Sequence, residues 1–366
     1  MKIGFVVNPI AGMGGPVGLK GTDGEQVLGL ALERGAHRSA PARALAALLT
    51  LRQRGVEAEF LASPGEMGAD ELNSAGIRHR VVGRAAEETS ADDTRAAVRT
   101  FVAEGVDLIV FAGGDATARD VLEASGGKTP MVGIPCGVKM HSAVFVHTPS
   151  ELADLIAAFS LGKVTMQAEV MDVDEEAFRE GVLQARLYGY APVPDDPSHM
   201  QSGKEVYRTS GADEEAAEIG QYIADEMRPG TLYIVGPGST TAQVAKAMGQ
   251  EKTLLGVDVY LDRRLLKADV TEDELLDLLK HRGDAVLVVT PIGAQGFFLG
   301  RGNQQLSAKV VRAAGSDRLC VVATATKLAG TPALRVDTGD PLLDAELRGD
   351  RKVVTGYRRR RLVRVL

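Results

Sequence analysis

Short runs of consecutive apolar residues alternate along the chain with stretches whose apolar positions recur at helical spacing. Residues 3–7 (IGFVV), 106–112 (VDLIVFA, broken only by Asp107) and 131–134 are such runs, and apolar runs of this length predict strands buried on both faces. Residues 56–62 predict a further strand. Between them, residues 41–54 place Leu45, Leu48 and Leu49 on one helical face, with Pro41 suited to the first turn. Ser90 can cap a helix whose Ala97, Val98, Phe101 and Val102 form the buried stripe. Residues from Thr117 onward and 150–161 predict further helices. Strand and helix alternating in this way predict a parallel, doubly wound sheet.

Around residue 165 the texture changes. Residues 182–193 (VLQARLYGYAPV) are aromatic and β-branched without a helical stripe, and they end in the Pro-rich PVPDDP. A domain boundary is therefore placed here. Residues 1–164 are expected to form one α/β domain, and residues 165–366 a C-terminal domain that is β-rich at 165–200 and 331–366. An α/β portion spans about 201–330, with strands at 231–235, 254–260, 285–290 and 319–323 and a helix from about Ser239. Another helix begins at Thr271, where Glu274 three residues on completes a capping box. The predicted fold class is α/β: an N-terminal doubly wound parallel-sheet domain plus a C-terminal domain partly β with an α/β portion.

Composition narrows the function. The 366 residues suit two domains, and 45% apolar with 25% charged residues excludes a disordered or fibrous chain. With 42 Lys+Arg against 49 Asp+Glu the net charge is -7, so nucleic acid is not an expected partner. No apolar run reaches the roughly 18 to 20 residues of a membrane span, and the N-terminus has no signal or transit pattern. The expectation is a cytoplasmic protein with no membrane partner. Cys136 and Cys320 lack CxxC spacing, so neither a disulfide framework nor a structural zinc site is expected.

In an open parallel sheet, ligands bind beyond the carboxyl ends of the strands, where backbone N–H groups and helix N-termini are presented. Three loops take that position: residues 8–15 (NPIAGMGG), 113–120 (GGDATARD) and 133–142 (GIPCGVKMHS). Their glycines can take positive φ and lie against phosphate oxygens, or simply make tight turns. Asp115 either caps Thr117 and Ala118 or acts as a general base or metal-orienting group beside bound phosphates. Only the second accounts for the Gly pair and the carboxylate together. Lys20 and Lys139 can place charges on phosphates or lie in solvent, and Arg119 and Asp120 follow in the first helical turn. Residues 236–241 (GPGSTT) bring Gly238, Ser239 and Thr240 to an anion-sized spot at a helix start. Asp172, Asp174, Glu175 and Glu176 could contribute a magnesium ligand, and residues 300–305 (GRGNQQ) a binding loop. Residues 127–129 (GKT) end like a P-loop, but Leu122 stands where its first Gly belongs and Pro130 follows.

Asn8-Pro9 with Gly12, Gly14 and Gly15, followed at residues 113–117 by GGDAT, resembles the NAD kinase and diacylglycerol or sphingosine kinase superfamily, whose mark is Gly-Gly-Asp-Gly-Thr. The ordered set NPIAGMGGPVGLKGTDG, GIPCGVKMHSAVF, EVMDVDEEAFREG, ARLYGYAPVP, GPGSTTAQVA and GFFLGRGNQQLS resembles its ATP-NAD kinase branch, related to the acetoin-catabolism X-protein, over nearly the whole chain. The resemblance implies that the α/β domain of residues 1–164 binds nucleotide and the C-terminal domain of residues 165–366 binds substrate. It also implies that Asp115 helps deprotonate or orient an acceptor ribose hydroxyl, with Gly113, Gly114 and Thr117 near the ATP phosphates. This chain departs at Ala116, where the family usually has Gly; if that position needs positive φ the cost is about 1 kcal/mol, with reduced activity. Lys139 and His141 stand where lipid-kinase relatives carry a Gly-Thr-Gly-Asn type turn, which points away from a lipid acceptor. The implied function is ATP- or polyphosphate-dependent phosphorylation of NAD to NADP, with magnesium bridging the ATP phosphates. Small-molecule nucleotides are the expected partners, in a homo-oligomer. The alternatives are a kinase of another small alcohol and a non-catalytic nucleotide or sugar-phosphate sensor.

Overall fold

The apolar run that opens the chain becomes β1 (Lys2–Val7), whose Ile3, Phe5 and Val7 are wholly buried. The computed structural model describes residues 1–19, 25–84, 89–137, 140–173, 185–201, 212–253, 255–292, 295–331 and 333–366. The chain divides into two compact units, Met1–Met13 with Gly21–Gly203, and Gly14–Lys20 with Lys204–Leu366.

In the first unit, β1 pairs in parallel with β2 (Glu59–Ala62) on one side and β4 (Leu108–Gly113) on the other. β3 (His79–Val81) and β5 (Met131–Pro135) extend the sheet to the order β3-β2-β1-β4-β5, parallel throughout. The connecting helices are α1 (Glu25–Glu33), α2 (Ala40–Gln53), α3 (Ala69–Ala75), α4 (Ala91–Ala103), α5 (Asp115–Ser125) and α6 (Leu152–Gly162). A sheet covered on both faces has no side for polar residues, which is why its strands read as unbroken apolar runs.

The helices refine the predicted stripes. α2 buries Ala44, Ala47, Leu48 and Leu51, and the small alanines put the contact line one position away from the leucines, so Leu49 is left exposed. α4 starts at a capping box between Ser90 and Asp93 and buries Thr94, Ala97, Val98 and Phe101, whereas Val102, expected in the stripe, is exposed.

β6 (Thr165–Val173) and β7 (Ala185–Pro194) form an antiparallel hairpin. Its inward residues Ala168, Val170, Ala191 and Val193 join the hydrophobic core of the first unit. The hairpin therefore groups with that unit, and the compact units divide at 203/204, not at the 164/165 boundary read from the sequence.

The second unit contains α7 (Ala212–Asp225), β8 (Leu232–Val235), α8 (Ser239–Ala247), β9 (Asp258–Leu261), β10 (Arg264–Lys267), α9 (Glu272–Arg282) and β11 (Ala285–Val289). There follow β12 (Phe297–Leu299), α10 (Ala308–Ala314), β13 (Leu319–Val322), α11 (Ala325–Ala329), β14 (Arg335–Val336), α12 (Pro341–Leu347), β15 (Gly349–Gly356) and β16 (Arg359–Val365). A seven-stranded mixed sheet runs β10-β9-β8-β11-β13-β15-β16, with β8, β11, β13 and β15 parallel and antiparallel strands at both ends. The strands of 331–366 thus continue the sheet of the α/β portion: Val353 of β15 lies opposite Val321 of β13. Thr271 and Glu274 form the expected capping box of α9. α12 is unexpected; Asp340 caps it by accepting the Leu342 and Leu343 N–H groups. Among the described residues, no helix is long and apolar enough to cross a membrane.

Candidate functional site

β2 and β4 leave β1 on opposite sides, so the strand order reverses at β1, and the crevice of such a sheet opens between the carboxyl ends of β1 and β4. The loops after β1, β4 and β5 interlock there. The Asn8 N–H donates to the Ala112 carbonyl at 2.9 Å, and the Cys136 N–H to the Gly113 carbonyl at 2.9 Å. The Asn8 side-chain amide donates to Thr117 Oγ1 at 3.0 Å, while its own carbonyl oxygen accepts the Ile10 N–H at 3.3 Å. Arg43 Nε donates to the Pro135 carbonyl. Gly12 has φ +78°, and a Cβ there would lie 1.9 Å from the Cys136 carbonyl oxygen. No other residue fits that turn.

Asp115 opens α5 directly after the N-cap Gly114, where a negative charge suits the positive end of the helix. It is buried, and its carboxylate is engaged with backbone: Oδ2 accepts the His141 N–H at 2.8 Å and Oδ1 the Ser142 N–H at 2.9 Å. Ser142 Oγ in turn accepts the Met171 N–H at 2.9 Å, linking this loop to β6. Asp115 therefore fixes the segment after β5, a partnership that spacing of the motifs did not reveal.

The Gly pair acts sterically. Gly114 is extended (φ -116°), and Gly113 lies against Thr117, whose side chain a Cβ at Gly113 would meet at 2.5 Å. Neither has positive φ, and Ala116, inside α5, has none either, so the expected strain at Ala116 is absent. Asp120 is held in an ion pair with Arg95 of α4, which also binds Asp92 at 2.7 Å. Burial pushes the Asp120 carboxyl up, opposed by the Arg95 and Arg119 charges. Its role is thus to join α4 to α5, because a buried carboxylate needs its cation. Arg119 is half-buried on α5.

Other expected residues lie elsewhere. Gly14 and Gly15 group with the second unit, where the Gly14 carbonyl accepts the Leu19 N–H at 2.7 Å and a Cβ on Gly15 would meet Gln304 at 2.6 Å. Lys20, Lys139, Asp174, Glu175 and Glu176 lie outside the described residues, while Asp172 sits in β6. Gly238 is the N-cap of α8 with φ +129°, followed by exposed Ser239 and buried Thr240. Residues 300–305 form a buried turn: Arg301 stacks on Phe297 at 4.3 Å and lies 3.6 Å from Asp337, and Asn303 donates to the Phe298 carbonyl at 2.9 Å.

The family model of the ATP-NAD kinase N-terminal domain matches residues 3–164, and that of the ATP-NAD kinase C-terminal domain matches residues 242–365. Among solved structures, the UDP-GlcNAc 2-epimerase of Neisseria meningitidis is 8% identical, covering 92% of this chain and 77% of that one, at a TM-score of 0.24. A protein of Listeria monocytogenes described as a UDP-N-acetylglucosamine 2-epimerase is 10% identical, covering 92% and 74%, at 0.26. Likeness at these TM-scores carries no argument about fold or function. A search of the curated proteins found no match.

Proposed function

Because the chain belongs to the ATP-NAD kinase family, we propose that it is an ATP-dependent kinase transferring a phosphoryl group to a ribose hydroxyl of NAD to give NADP. The observation that carries this reading is the interlocked rim at the strand-order reversal, where Asn8, Gly12, Gly113, Gly114, Asp115 and Thr117 meet. In-line phosphoryl transfer asks a protein chiefly to position two substrates and to neutralise developing charge. Backbone N–H groups at the start of α5 and the turn at Gly12 would receive phosphate oxygens, for which a helix N-terminus is suited. Asp115, held by two backbone N–H groups, would orient the acceptor hydroxyl and fix the loop that walls the crevice. Ala116 has no positive φ, so the strain expected to reduce activity does not arise there.

Magnesium is proposed only as a companion of the donor phosphates. Among the described residues no group of three or more His, Cys, Asp or Glu side chains could hold a metal ion, and the proposed ion would be held chiefly by the phosphates themselves. Small-molecule nucleotides as partners, a homo-oligomeric state and a cytoplasmic setting belong to the same proposal.

The test is turnover. Purified protein with ATP and NAD should release ADP and form NADP, detected with an NADP-specific dehydrogenase, and polyphosphate in place of ATP tests the donor. ADP release with another alcohol and none with NAD would replace the acceptor; no turnover with any acceptor would end the kinase reading.

A further inference from the structure

The second unit has a strand-end rim of its own. β8, β11 and β13 lie side by side and parallel, so the residues that follow them emerge on one edge. After β8 come Gly236, Pro237 and Gly238 and the start of α8; after β11 comes Thr290; after β13 come Ala323, Thr324 and α11. These three loops touch. At Gly238 a Cβ would sit 2.7 Å from Thr290 Cγ2, so glycine lets the helix start lie directly on Thr290. Thr290 is buried, and its Oγ1 lies 3.4 Å from Lys327 Nζ. Lys327 is fixed on the first turn of α11, where its backbone N–H is capped by Thr324 Oγ1 at 3.1 Å.

Among the described residues, Lys327 is a cation without a matching anion. Its ammonium has three donors, and the bond to Thr290 is the one side-chain hydrogen bond it makes among the described residues. The carboxylate that reaches α11, Glu215, accepts the Thr326 N–H at 3.3 Å instead. Burial alone pushes the Lys327 ammonium down to about 8, with no carboxylate raising it. Lys252 in the same unit shows the usual remedy: it is equally buried but lies 3.5 Å from Asp258 and donates to two carbonyls. On the other side of Thr290, α8 begins without a side-chain cap, Ser239 is exposed, and Thr241 Oγ1 is turned back to the Gly238 carbonyl at 2.9 Å. A desolvated ammonium and uncapped helix N–H groups thus both border the Thr290 side chain, and a tetrahedral anion beside it would satisfy each of them.

We infer that the second unit carries its own anion site, in which Lys327, Thr290 and the start of α8 with Ser239 hold the phosphate group of a small phosphorylated molecule. The inference does not depend on the kinase reading, since no residue of the first-unit rim takes part. The phosphate belongs either to a dinucleotide or to a separate sugar phosphate, and the two are distinguished below.

The test is titration of the full chain with inorganic phosphate, followed through the Ser239 and Thr240 amide resonances. In the wild type these should shift and saturate, with sulfate competing and chloride not. Lys327→Met should weaken the response at least tenfold, while Lys327→Arg should keep it within a few-fold. Lys327→Met should also melt at or above the wild-type temperature, because it removes a buried charge. Unmoved resonances in the wild type, full affinity in Lys327→Met, or a lower melting temperature for that variant would each overturn the assignment. Titrating NAD and ribose 5-phosphate in turn then identifies the carrier: whichever shifts Ser239 at lower concentration in the wild type, and not in Lys327→Met, supplies the phosphate. If neither does so, the site is not a phosphate site for small metabolites and the inference fails.

Discussion

The side-chain amide of Asn8 donates to the Thr117 hydroxyl across 3.0 Å, tying the loop after β1 to the helix after β4. Thr117 is buried and packed against Gly113, so its hydroxyl can be removed without changing the shape of the rim. Thr117→Val should leave the Asn8 amide without its acceptor and cost about 1 kcal/mol of stability. The KM for nucleotide should rise several-fold while kcat changes less. Unaltered melting and unaltered kinetics would show that the bond contributes nothing.

Asp115→Asn replaces one carboxylate oxygen with a donor that faces a backbone N–H. Turnover with ATP and NAD should fall roughly 10²- to 10⁴-fold, and amide hydrogen exchange at His141 and Ser142 should accelerate. The pair of readouts separates two roles. Faster exchange with turnover intact would leave Asp115 as a fastener of the loop alone; slow turnover with exchange unchanged would make it a group that acts on substrate.

Gly12 and Ala116 should respond in opposite ways to the exchange of glycine and alanine. Gly12→Ala places a methyl group 1.9 Å from the Cys136 carbonyl at positive φ, so the variant should fold poorly or lose the rim. Ala116→Gly restores the usual family residue, yet its helical backbone gains nothing from it. That variant should lose about 0.5–1 kcal/mol and show no gain in rate. A clear gain in turnover would mean that the alanine methyl obstructs the substrate.

Glu71 in α3 makes stability depend on pH in a definite direction. Burial, helped by the Asp70 and Glu66 charges, pushes its carboxyl from 4.5 up to about 7. The native protein keeps this proton where the unfolded chain has released it, so stability falls as pH rises from about 4.5 to about 7 and is level above. Glu71→Gln should be more stable than wild type at pH 8 by about 2 kcal/mol and should flatten this window. Urea melts at pH 5 and pH 8 decide it: a wild type as stable at pH 8 as at pH 5, with no gain from Gln, contradicts the assignment.

Much of this was legible because it is periodic. An unbroken apolar run means a strand buried on both faces, and Ser90 and Thr271 announced their helices through side chains that can only cap. The order of the glycine loops told which strand ends would form the rim. What escaped was long-range pairing. Nothing in the spacing couples Asp115 to His141 and Ser142 across 26 and 27 residues, or Asp120 to Arg95, because such partners are chosen by how helices and strands stack. The hairpin of β6 and β7 was legible as β-structure, but its composition does not say which core Val170 and Val193 will enter. Lys327 passed unnoticed as one lysine among many; only burial distinguishes it.

The seven-stranded sheet ends on both sides in cationic ribbon: exposed Arg264 and Lys267 on β10, and exposed Arg359, Arg360, Arg361 and Arg364 on β16. An open strand edge invites a second chain to add to it, and like charge along that edge makes the addition costly. Along β16, where Leu334 already pairs with Val365 at one end, the arginines raise the cost of a second copy adding to the strand that remains.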